Sequence, residues 1–153
     1  MKYNRKPMQI LMADDDDDDR RSAAKAWKIA RSVNPIRFVN DGEELMDYLY
    51  QRGQFAGMVD WARPGLILLD LNMPRKDGRE ALREIKADPE LRQIPIIVLT
   101  TSQAEEDIYR TYDLGASSFI TKPVTFTALI ELTQAIGNYW IEIVQHPLSP
   151  ENN

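Results

Sequence analysis

Short apolar runs of strand length alternate with segments of helical period along the whole chain, and this alternation narrows the fold more than any other feature. It is the pattern of a parallel sheet with helices packed on both faces. Strands are predicted at Met8 to Ala13, Ile36 to Asn40, Leu66 to Leu71, Ile94 to Thr100 and Ser117 to Thr121. The first, third and fourth are nearly unbroken apolar runs, as expected of central strands buried on both sides. Helices are predicted at Asp17 to Val33, Gly42 to Arg52, Gly78 to Ala87, Ala104 to Leu114 and Phe126 to Gln145. Pro35, Pro64, Pro95 and Pro123 punctuate the ends of these segments and interrupt none of them. The longer connection from Gln51 to Pro64 reads as a lid or a loose insertion.

A chain of 153 residues is long enough for one domain with a real core and too short for a second, separate output domain. Residues 8–145 form that domain, with tails at 1–7 and 146–153. No apolar run reaches the ~18 residues of a membrane span, and six aspartates stand where a signal peptide would continue its hydrophobic region. A water-soluble, cytoplasmic protein is expected. The absence of cysteine excludes disulfides, thiol chemistry and zinc–cysteine sites. A net charge of −5 leaves no basic footprint for nucleic acid or anionic lipid, so the partners should be proteins.

In an open parallel sheet, ligands bind beyond the carboxyl ends of the strands. Asp14 and Asp15 follow the first strand, Asp70 ends the third, Thr100 ends the fourth and Lys122 follows the fifth. The fold therefore gathers five polar groups on one edge. Two unit charges ~4 Å apart at an effective dielectric of ~20 repel by ~4 kcal/mol, so three carboxylates here need help to ionise. Lys122 offsets one charge, and the rest calls for either raised carboxylate pKa values or a hard divalent cation, of which a magnesium site is the economical reading. The set supports in-line attack by Asp70 on a phosphoryl donor to give an aspartyl phosphate. Lys122 would then contact one phosphoryl oxygen and the Thr100 hydroxyl another. The one histidine, His146, lies in the tail beside Pro147 and Pro150, so the phosphoryl group must come from another protein or a small molecule.

Four motifs stand in order at the strand ends: Ile10-Leu11-Met12-Ala13-Asp14-Asp15-Asp16, Leu68-Leu69-Asp70-Leu71-Asn72-Met73-Pro74 with Asp77-Gly78, Val98-Leu99-Thr100-Thr101, and Thr121-Lys122-Pro123. Together they resemble the receiver domain of response regulators over residues 8–145. The resemblance implies a flavodoxin-like, doubly wound α/β fold, with five parallel strands in the order 2-1-3-4-5 and five helices. It implies a phosphoacceptor domain with intrinsic self-dephosphorylation rather than an enzyme. Magnesium would be ligated by Asp15 and Asp70 side chains and the Asn72 carbonyl, with Asp14 acting through water. A cis bond before Pro123 is implied as well. The implied switch couples Thr100 to Phe119, whose phenyl ring lacks the hydroxyl of a tyrosine, and reshapes the face of the fourth helix, fifth strand and fifth helix. Asn72 and Ser102 occupy the positions that tune hydrolysis of the acyl phosphate.

The segments Gly78-Arg79-Glu80 and Thr101 to Ile108, with Trp140, further resemble small single-domain regulators that partner bacterial phytochrome-type histidine kinases. The implied partners are such a kinase and a downstream protein target or phosphotransfer protein. In the last helix Leu129, Leu132, Ile136, Tyr139 and Ile143 form an ordinary core stripe. Ile130, Trp140, Ile141 and Val144 lie off it, and with Tyr109 and Tyr112 they outline a homodimer or partner surface. Asp16 to Asp19 read simply as helix-start residues that cap free N–H groups and suit the helix dipole. A calcium loop is a poor fit, because counting from Asp14 places Asp19 where the turn needs glycine and Lys25 where it needs glutamate. An aspartyl-nucleophile phosphatase would need an aspartate where Asn72 stands. The alternative left open is a receiver-shaped scaffold that acts by protein binding without phosphorylation.

Overall fold

Five strands, β1 (Gln9–Ala13), β2 (Ile36–Val39), β3 (Pro64–Leu69), β4 (Ile96–Thr100) and β5 (Ser118–Thr121), pair in parallel in the order β2-β1-β3-β4-β5. The computed structural model describes residues 7–31, 34–100, 113–123 and 125–136, the Thr100 side chain excepted. The unbroken apolar runs lie at the centre of the sheet: every residue of β1 and β3 is buried. Pro64 opens β3 two residues before the apolar run, where a missing N–H costs the ladder least.

Four α-helices are described: α1 (Asp17–Ile29), α2 (Gly42–Leu49), α3 (Gly78–Ala87) and α4 (Phe126–Ile136). The helix expected over 104–114 lies outside the described residues except for its last two, as does any part of the last helix beyond Ile136. Alternate residues of the strands feed two cores. Leu11, Ile67, Leu69 and Val98 pack with Leu45 and Met46 of α2 and with Leu82 and Ile85 of α3. Ile10, Met12, Leu66 and Ile97 pack with Ala23 and Trp27 of α1 and Ile136 of α4.

Asp16 caps α1 by accepting from the N–H groups of Asp18 and Asp19, Asp41 caps α2 through Glu44 N–H, and Asp77 and Glu80 form a capping box on α3. α1 and α2 end before their predicted limits. A left-handed residue follows each, Arg31 at φ 56° and Gln51 at φ 50°, which stops the helical ladder. The connection after α2 is a packed insertion rather than a loose one. A 3-10 turn over Gly53–Phe55 sets Phe55 edge-on to Tyr48 at 5.1 Å, and Trp61 Nε1 donates to the Tyr48 carbonyl at 2.8 Å.

Among the described residues no peptide bond is cis. The expected cis bond before Pro123 is thereby corrected to trans, the form an X–Pro bond ordinarily prefers by about 0.5–1 kcal/mol. Lys122 reaches the sheet edge from this trans backbone.

Candidate functional site

The sheet register itself sets the two central aspartates side by side. Ala13 pairs with Leu69, and the residues that follow, Asp14 and Asp70, continue the ladder for one more step. Asp14 N–H donates to the Val39 carbonyl at 3.1 Å and Asp70 N–H to the Ala13 carbonyl at 3.0 Å. The backbone therefore fixes both residues before their side chains make any contact. Asp15 follows on the exposed side. Asp14, Asp15 and Asp70 each bring a carboxylate oxygen to within 4.8 Å of the others.

Lys122 enters from the end of β5. Its Nζ lies 2.8 Å from Asp14 Oδ2, 2.8 Å from Asp19 Oδ2 and 3.4 Å from Asp70 Oδ2. Asp14 Oδ2 is fully buried and, although in ion-pair contact with Lys122, accepts no well-directed hydrogen bond. Asp14 Oδ1 accepts from Asp16 N–H at 2.9 Å, and Asp70 Oδ1 from Asn72 N–H at 3.2 Å.

Burial pushes the Asp70 carboxyl above its ordinary pKa, against the pull of Lys122 and with the repulsion of Asp14. Burial raises Asp14 in the same way, with Lys122 again opposing. For Lys122, burial alone would lower the pKa, but its pairing with Asp14 and Asp19 outweighs this and holds it above the usual lysine value. One ammonium does not neutralise the cluster, since both buried carboxyls stay raised beside it. An all-oxygen donor set with an under-partnered buried carboxylate oxygen suits a hard divalent cation.

The β3–α3 loop is held from below. Arg75, left-handed at φ 64°, donates from Nε to buried Asp41 at 2.9 Å, and Gly42 N–H donates to the Lys76 carbonyl at 2.9 Å. Gly78 opens α3 against the same loop, where a Cβ would stand 2.3 Å from the Asp70 carbonyl oxygen. Asn72 is exposed in this loop. Thr100 closes β4 in register with Thr121, but its hydroxyl lies outside the described set. Phe119, half-buried, packs against the core on the α2–α3 side. Ser102, Tyr109, Tyr112, Trp140, Ile141 and Val144 lie outside the described residues.

Two residues join the site that the sequence reading did not place there. Asp19, read as a solvated helix-start acid, turns inward to Lys122, and Arg20 Nη1 donates to the Asp14 carbonyl at 2.7 Å. Helical spacing carries the signal for the first. Asp19, Ala23 and Ala26 share one face of α1, and both alanines are buried. Asp16 to Asp18 keep the expected roles, with Asp17 and Asp18 paired to Arg20 and Arg21 on the surface.

Residues 10–134 match the family described as response regulator receiver domain. Response regulator Rcp1 of Synechocystis is 38% identical over 141 residues, which cover 92% of this chain and 94% of Rcp1. The phosphorylated cyanobacterial phytochrome response regulator RcpA superposes with a TM-score of 0.84 at 40% identity, covering 93% of this chain and 99% of that one. The Mn(2+)-bound form of Rcp1 gives 0.82 at 38% identity, covering 92% of this chain and 99% of that one.

Proposed function

Because the chain belongs to the response regulator receiver family, we propose that Asp70 carries the phosphoryl group in its two-component signalling, with magnesium held beside it. The observation that carries this reading is the convergence of Asp14, Asp15 and Asp70 around one point of the sheet edge, with Lys122 among them.

An Asp70 carboxylate oxygen attacks phosphorus in line. The bond from phosphorus to the imidazole nitrogen of a phosphorylated histidine breaks, its electron pair stays on that nitrogen, and an acyl phosphate remains on Asp70. Asp15 and Asp70 side chains and the Asn72 carbonyl would hold the cation directly, and Asp14 would do so through water. When bound, magnesium neutralises charge on the phosphoryl oxygens and favours ionised carboxylates. Lys122 contributes a point charge to one phosphoryl oxygen and Thr100 a hydroxyl donor to another. Withdrawal of Thr100 toward the phosphoryl group gives Phe119 the space to turn and alter the surface beside β5. Asn72 and Ser102, at the family positions that tune hydrolysis of the acyl phosphate, would set its lifetime, so the domain works as a self-dephosphorylating acceptor rather than a turnover enzyme.

The donor is a histidine kinase of the phytochrome type, in line with the regulators the chain resembles. No helix among the described residues is long and apolar enough to cross a membrane, and a cysteine-free chain fits a site of action in the reducing cytoplasm.

Incubation with acetyl phosphate and magnesium, followed by intact mass measurement, tests the reading. Wild type should gain one base-labile phosphoryl group, and Asp70→Asn or magnesium-free protein should gain none. Wild type unmodified by both acetyl phosphate and a phosphorylated kinase would overturn the reading in favour of a scaffold.

A further inference from the structure

The Lys122 ammonium has three N–H donors, and three carboxylate oxygens, from Asp14, Asp19 and Asp70, lie within 3.4 Å of it. Its well-directed hydrogen bonds go to Asp19 and Asp70, and Nζ sits closer to Asp19, at 2.8 Å, than to Asp70, at 3.4 Å. To close on a phosphoryl oxygen at Asp70, the more distant of its hydrogen-bonded partners, the ammonium must draw away from one of the other two carboxylates. Asp14 is a poor candidate, because its side chain is 0% exposed and a buried carboxylate that loses its cation is left uncompensated. The Asp70 oxygens become part of the acyl phosphate. Asp19 remains, with 44% of its side chain exposed and water at hand to replace the lysine.

The surroundings leave Lys122 room to move. A cavity of about 160 Å³ opens between α1 and α4, with Asp14, Asp19 and Lys122 at its polar end and Met12, Leu99 and Phe126 among its apolar walls. The lysine lines this space rather than being wedged in a packed core. The first turn of α1 is itself firmly placed, because Asp16 caps it and Arg20 ties it to the Asp14 carbonyl. Asp19 is therefore a fixed counter-charge and Lys122 the mobile partner.

We propose that Asp19 is a positioning residue for phosphoryl transfer: it holds Lys122 toward α1 in the resting domain and releases it when the phosphoryl group forms on Asp70. This rests on Asp70 being the acceptor. With acetyl phosphate as donor, the Asp70 oxygen bonds to phosphorus, the phosphorus–acetyl oxygen bond breaks, and acetate leaves with the electron pair. Asp19 takes no part in that exchange. It sets how readily the Lys122 charge is available as the new bond forms.

The test is the single-turnover rate of Asp70 phosphorylation at saturating acetyl phosphate and magnesium, followed by intact mass. Asp19→Asn should raise this rate about tenfold, the equivalent of about 1.4 kcal/mol. Asp19→Ser, which keeps a short polar side chain in the first helical turn, should do the same. Asp19→Glu should restore the lysine contact and stay within about twofold of wild type. Asp18→Asn, which removes the same charge from a neighbour that does not touch Lys122, should leave the rate unchanged. A rate in the Asp19 variants that is unchanged or lowered, or an equal rise in Asp18→Asn, would overturn the proposal. Failure of wild type to be phosphorylated at all would instead overturn the assignment of Asp70, so the two ideas fail separately.

Discussion

Keeping Asp70 ionised costs the metal-free fold stability, and this makes a testable signature of the site. Burial raises the folded carboxyl pKa above the unfolded value near 3.8. Above that value the unfolded chain has already released its proton while the folded chain resists doing so. The penalty is thus absent below the unfolded pKa and grows as pH rises through the folded one. Asp70→Asn should therefore raise the metal-free Tm at neutral pH, by about 2–4 °C for each kcal/mol relieved, and the gain should vanish on acidification toward pH ~4. Adding magnesium should stabilise wild type more than the variant, approaching about 2.7 kcal/mol at a hundredfold excess over Kd. A variant less stable than wild type in chelator at neutral pH would refute this account. Asp14 and Asp70 were legible in the sequence because each follows a strand that could only be buried, and Lys122 because it follows the last strand at the same edge of the sheet. Asp19 was not, since capping and dipole effects account for any acid at a helix start without asking which way it faces.

The elements hold the site through loops whose fit was only partly legible. Strand identity followed from the apolar runs, but the early ends of α1 and α2 depend on left-handed Arg31 and Gln51, residue types that carry no warning of positive φ. The Asp41–Arg75 tie was hidden for a similar reason, as it joins residues 34 apart through a conformation that only the closed loop specifies. Burial would raise the Asp41 carboxyl, but Glu44 N–H and Arg75 outweigh it and hold the pKa below its usual value. Its contribution is present above the unfolded pKa and lost as pH falls through the folded one. Asp41→Ala should cost about 2 kcal/mol in chemical denaturation at neutral pH, since it removes a helix cap and a charged hydrogen bond together. The loss should shrink in acid. Gly78→Ala tests the loop from its other end. Its Cβ would crowd the Asp70 carbonyl, so a loss of about 1–3 kcal/mol is expected. Slower acceptance of phosphate should accompany it, because the loop that moves carries both Asp70 and Asn72. Unchanged stability would mean that the helix start shifts freely.

For the whole molecule, the sheet divides two cores of unequal depth. On the α2–α3 side, α2 and α3 bury Leu45, Met46, Leu82 and Ile85 completely, and the packed insertion with Trp61 closes over that side. On the other side α1 offers mainly alanines and Trp27, while α4 fully seats only Thr133 and Ile136 among its described residues, with Leu129 and Leu132 half-buried. β5, at the sheet edge, is half-buried or exposed throughout. Opening free energy follows buried apolar contact, so the α4–β5 side should open locally well below the global unfolding energy, while β1 and β3 exchange only on global unfolding. Native-state hydrogen exchange should rank β1 and β3 amides as most protected and those of β5 and α4 as least. Truncation should agree: Leu69→Ala, at 0% exposure, should cost about 2–5 kcal/mol, and Leu132→Ala clearly less. The soft side is also where Lys122 leaves the sheet and where the cavity opens. A domain that must reshape the surface around β5 after one charge arrives at Asp70 needs its low-energy openings there, and equal protection on both sides of the sheet would show that the switch lies elsewhere.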